Sequence, residues 1–99
     1  MPEFINPFVI KHNDRMLTDT ELIRAVRLNI AAEYEAIQLY TQLAESTENT
    51  DAKKLFHEIA NDEKVHVGNF IRLLYILDPM EKEFYKAGKQ ETLNILEKE

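Results

Sequence analysis

The sequence predicts an all-α chain: an antiparallel two-helix hairpin, then a shorter C-terminal helix. Three observations carry this. The breakers Pro2, Pro7, Pro79, Gly68 and Gly88 leave residues 8–67 without a proline or glycine. That stretch is rich in Ala, Leu, Glu, Lys and Gln, which favour helix. Apolar residues then recur at helical spacing, with no Asn-Gly or Asp-Gly hairpin signal.

Each element follows from local chemistry. Residues 1–17 form an N-terminal arm in which Phe4, Ile5, Phe8, Val9 and Ile10 are apolar. Helix 1 is expected over 18–47, because Thr18-Asp19-Thr20-Glu21 fits a capping box. The polar run Glu45 to Thr50 makes the turn. Helix 2 is expected over 50–77, capped by Asn49 or Thr50 and closed by Asp78-Pro79. Helix 3 is expected over 79–98, with Asp78 as cap, Pro79 in its first turn and Glu81 completing a second capping box. Gly88 weakens its middle.

With 99 residues the whole chain reads as one domain with a thin core. The absence of cysteine excludes disulfides, zinc–thiolate sites and thiol catalysis. A formal charge of −6 argues against a broad nucleic-acid surface. No apolar run is long enough to span a membrane and no secretory signal is read, so a cytoplasmic protein is expected.

The informative feature is a pair of core seams. On helix 1, Ile23, Val26, Ile30, Glu33, Ile37, Tyr40 and Ala44 alternate at spacings of three and four. On helix 2, Phe56, Ile59, Glu63, His66, Phe70, Leu73 and Leu77 do the same. Each seam is apolar except at its centre, where Glu33 faces Glu63 and His66. A carboxylate in such a place must be paired, protonated or metal-bound. Neither seam holds a Lys or Arg to pair with it. Glu63-x-x-His66 puts both side chains on one helix face. Counted from the turn, the three groups lie at similar heights, so they suit one divalent transition metal, iron or manganese. The other reading is a polar layer where the hairpin splays.

Di-iron carboxylate bundles take a Glu from each of two helices and a Glu-x-x-His from each of two others. This chain carries half of that set, so a two-fold homodimer would complete both a four-helix bundle and a di-metal site. Four carboxylates balance two Fe(II) in charge.

The segments AAEYEAIQLY and NDEKVHVGNF resemble the encapsulated ferritins, two-helix ferritin-like proteins packaged in encapsulin nanocompartments. The resemblance covers residues 18–85. It implies that Glu33, Glu63 and His66 are ferroxidase ligands completed across a subunit interface, and that dimers join in a ring, typically a decamer. It further implies oxidation of Fe(II) by dioxygen or peroxide inside the compartment, with the encapsulin shell holding the iron store. Glu33 is then a terminal ligand, Glu63 a bridge and His66 the nitrogen ligand. Some relatives carry a carboxylate where Ala32 stands and use it with the position of Glu35 in a second metal site; here only Glu35 is present. Leu39 stands where some have Trp, and no encapsulin-targeting tail is read after Lys98.

Tyr40 lies two turns beyond Glu33 and is a candidate hydrogen-bond donor to a ligand carboxylate, or an ordinary core aromatic. Tyr34, Glu35 and His57 read as surface residues, Phe56 and Phe70 as core, and Glu58 and Asp62 as rim acids that attract cations. His12 has no evident partner. Two competing functions stay open: a non-enzymatic helical module that joins a larger assembly, and a rubrerythrin-like di-iron peroxidase. The second is disfavoured because rubrerythrins usually hold a further iron through cysteine.

Overall fold

Helix boundaries in the computed structural model, which describes residues 15–98, are set by side-chain caps. Helix α1 spans Asp19–Ser46. Thr18 Oγ1 accepts from the Glu21 N–H at 3.2 Å, and the Glu21 carboxylate accepts the Thr18 N–H at 2.9 Å, so the capping box forms as the sequence implies. Arg15 reinforces it, donating to both Glu21 oxygens at 2.7 Å. These bonds hold the Glu21 carboxyl down at about 2, with the Arg15 hydrogen bond the largest cause. Phe4 to Ile10 and His12 lie outside the described residues.

Extended backbone at Thr47 and Asn49 turns the chain. Helix α2 spans Thr50–Leu77, and Asn49 Oδ1 caps it by accepting the Ala52 N–H at 2.9 Å. The Asp78 N–H closes it on the Leu74 carbonyl. Asp78 also begins helix α3, Pro79–Leu96, accepting the Glu81 N–H at 3.2 Å. Helix α3 runs unbroken through Gly88 and stops two residues short of the expected Lys98.

The second capping box does not form. Instead of reaching back, the Glu81 carboxylate turns inward and is buried. One oxygen accepts from Arg27 Nε at 2.9 Å and from Arg27 Nη2; the other accepts the Tyr85 hydroxyl. Arg27 also lies 3.5 Å from Asp78. A guanidinium offering two donors outcompetes one backbone N–H. Arg27 holds the Glu81 carboxyl below its ordinary range despite burial. The Tyr85 hydroxyl is pushed up to about 12, first by its bond to Glu81 and then by burial.

Helices α1 and α2 pack along their lengths as an antiparallel hairpin, about 42 Å long at 1.5 Å per residue. The core is a thin line: Val26 and Ala44 from α1, Ala60, Val67 and Leu74 from α2. The seam expected on α1 contains its two buried residues. The seam expected on α2 does not coincide with the line facing α1. Its members Ile59, His66 and Leu73 each lie one residue before Ala60, Val67 and Leu74, about 100° round the helix. Leu73 is consequently 39% exposed and His66 is exposed, while Leu74 is 2% exposed.

Helix α3 leaves this hairpin. It meets it through Glu81 and through Tyr85, whose ring lies 6.0 Å from that of Tyr75. From Lys82 to Lys98 every residue but Leu93 is exposed.

Candidate metal centre

Glu33 is carried by α1, one residue past its midpoint, and Glu63 and His66 by successive turns of α2. The structure brings the three together: one ligand atom from each lies within 4.8 Å of the others. His66 Nδ1 sits 3.4 Å from Glu63 Oε2 and 3.6 Å from Glu33 Oε2. Both carboxylates are half-buried, with 19% of each side chain exposed, and the imidazole is 49% exposed. The cluster therefore sits at the edge of the hairpin, with its carboxylates inside and its imidazole at the open side.

One atom bears on whether a metal suits these groups. Glu33 Oε2 is buried and has no hydrogen-bond partner among the described residues. Leaving a buried acceptor unsatisfied costs about 1–3 kcal/mol, and more for a charged one. A divalent cation between the three groups would satisfy it. Two carboxylates and an imidazole are donors that iron and manganese accept. The donor set fits.

The other residues singled out above take different places. The Tyr40 ring stacks on Phe56 with centroids 6.3 Å apart and planes 13° from parallel. Because Glu33 Oε2 is unpartnered, Tyr40 does not donate to that atom in the single chain. Glu35, His57, Glu58 and Asp62 are exposed, and Tyr34 is 52% exposed. Tyr34 also lines an open cleft of about 430 Å³ with Arg27, Ile30, Ile71, Leu74, Tyr75 and Tyr85. Arg27 and its bond to Glu81 were not foreseen. The two are 54 residues apart, and no local pattern links them.

The family model for rubrerythrin matches residues 21–98. A ferritin-like–encapsulin shell fusion protein of Pyrococcus furiosus is 41% identical over 87 residues, covering 88% of this chain; the chain spans only 25% of that protein. An encapsulin nanocompartment cargo protein of Myxococcus xanthus, EncC, is 43% identical over 93 residues, covering 92% of this chain and 68% of its own length. The crystal structure of the encapsulated ferritin domain from Pyrococcus furiosus matches with a TM-score of 0.82 at 40% identity, covering 92% of both chains. The chain is an encapsulated ferritin of the rubrerythrin family. Among the described residues it has the three helices and no strand, as expected from its sequence, and its family is one that binds iron. No described helix is long and apolar enough to cross a membrane.

Proposed function

We propose that this encapsulated ferritin is a ferroxidase: two copies oxidise Fe(II) to Fe(III) at a site to which each contributes Glu33, Glu63 and His66. The observation that carries this is the convergence of three ligand atoms on an orphaned, buried Glu33 oxygen. The rotated α2 seam supports the second copy. Ile59, His66 and Leu73 turn past α1 to an open side, where another hairpin would cover them. Dimerisation would then close a four-helix bundle and supply the missing ligands together.

Fe(II) is the substrate, and each ion gives one electron to dioxygen or peroxide. The protein's part is to hold and release. The Glu33 carboxylate is assigned a terminal position, Glu63 a bridging one and His66 the nitrogen ligand. His66 Nδ1 lies 3.4 Å from Glu63 Oε2 and 3.6 Å from Glu33 Oε2, so it is the imidazole nitrogen placed to hold iron with the two acids. Four carboxylates bring −4 to the paired site, so two Fe(II) neutralise it and the metal-free pair repels itself. Tyr40 is assigned a supporting role: its stacked ring leaves the hydroxyl to donate to a ligand carboxylate in the dimer.

The cargo protein and shell fusion among the relatives support a further step. The dimers join in a ring, with ten chains as the expected size, inside an encapsulin compartment that receives the oxidised iron. The test is aerobic Fe(II) addition to the metal-free protein. Fast oxidation that is lost in Glu33→Ala and His66→Ala supports the assignment; equal rates in those variants refute it.

A further inference from the structure

Helix α3 is an unusual appendage. It starts after a forced break, since Asp78-Pro79 ends α2 and no helical hydrogen bond can cross the Pro79 nitrogen. A break of this kind leaves the following helix free to swing about two or three backbone dihedrals. Yet the start of α3 is fastened to α1 through a cluster that bonds both oxygens of the Glu81 carboxylate. Arg27 places two donors on one Glu81 oxygen, Tyr85 donates to the other, and Arg27 also faces Asp78, the residue at the hinge. Glu81 is buried, the one charged side chain so buried among the described residues. Beyond this cluster α3 has no substantial packing on the hairpin, and it carries Met80, Phe84 and Ile95 on one side, all at least 60% exposed.

We propose that Arg27, Glu81 and Tyr85 form a latch that fixes the direction of α3 relative to the α1–α2 hairpin and so aims the Met80–Phe84–Ile95 side of α3. Apolar packing at this joint would tolerate a range of angles. A buried carboxylate with both oxygens bonded does not, because a swing of α3 strands Glu81 without its partners. Arg27 is thus a positioning residue. It lies on the same helix as Glu33, six residues earlier, so the latch ties α3 to the helix that carries one of the two acids of the candidate metal centre. The inference concerns the single chain and does not rest on iron chemistry.

The chain lacks cysteine, so a pair of spin labels can be placed cleanly at Asn29→Cys on α1 and Lys89→Cys on α3, both exposed. The doubly labelled chain is diluted tenfold into unlabelled chain, metal-free, and the label-to-label distance distribution is measured by pulsed dipolar spectroscopy. The parent should give one narrow distribution. Glu81→Gln, which keeps side-chain volume, and Arg27→Gln, which removes the guanidinium from an exposed side chain, should each broaden it at least twofold while helical circular dichroism stays at the parent value. The exchange Arg27→Glu with Glu81→Arg should narrow it again. If Glu81→Gln and Arg27→Gln both keep the parent width, the latch is refuted. It is also refuted if the parent distribution is itself as broad as theirs.

Discussion

Glu33 should destabilise the metal-free protein, and removing its charge should therefore stabilise it. Its Oε2 is buried without a partner, and a carboxylate oxygen of Glu63 lies within 4.8 Å in the cluster. At that separation two unit charges repel by about 3 kcal/mol with an effective dielectric near 20, and His66 offsets part of this whenever it is protonated. The stranded acceptor adds about 1–3 kcal/mol. Glu33→Gln keeps the shape and removes the charge, so a net gain of roughly 1–3 kcal/mol follows, near the lower end because the amide oxygen is still unpartnered. In a domain of this size that raises Tm by at least about 4–8 °C. The assay is thermal unfolding followed by circular dichroism at fixed protein concentration in a chelator, repeated with Co(II) as a redox-inert stand-in. The parent should melt below Glu33→Gln without metal and gain strongly with Co(II); the variant should gain little. A lower Tm for Glu33→Gln in chelator would refute the reasoning, since it would show the carboxylate serving the fold. An equal Co(II) gain in both would show that Glu33 is not a ligand.

Other expectations follow from the same geometry. Tyr40→Phe preserves the stack on Phe56 and removes the hydroxyl, so iron stoichiometry should hold while initial oxidation slows by about 2- to 10-fold, the worth of one hydrogen bond. Leu73→Ser should weaken self-association without unfolding the hairpin: with 39% of each Leu73 left to bury, two copies forfeit about 1–2 kcal/mol, readable by sedimentation as a dissociation constant raised about 5- to 30-fold. The Glu21 carboxyl is held at about 2 against an ordinary 4.5, so its contribution is complete above the ordinary value and is lost as pH falls toward 2. Glu21→Gln should accordingly be less stable than the parent at neutral pH, and the two acid-denaturation curves should converge near pH 2.

Much of the fold was legible because it is written in local chemistry. Thr18, Asn49 and Asp78-Pro79 mark helix ends through hydrogen bonds and sterics that span three or four residues, and the structure uses each of them. The cluster of Glu33, Glu63 and His66 was legible for a related reason: acids that interrupt an apolar register stand out from the surrounding periodicity. What was not legible depends on distant partners. Glu81 has the sequence context of a capping residue, and only the arrival of Arg27, 54 residues earlier, diverts it into the interior. The offset of the α2 seam from the line buried against α1 was hidden too, because a three-four register gives the direction of a core without saying how many helices surround it. Tyr40 shows the same limit, since its partner Phe56 is fixed by hairpin register.

The claim at the centre is that the chain holds half of a two-iron ferroxidase site. Stepwise Fe(II) addition to the metal-free protein in air, with absorbance and native mass recorded on the same sample, tests it most directly. Two irons per pair of chains should bind, oxidise rapidly and drive the mass from monomer to dimer and beyond, with no such change in Glu33→Ala or His66→Ala. A chain that stays a monomer at every iron ratio, or oxidises iron equally well without those side chains, would contradict it.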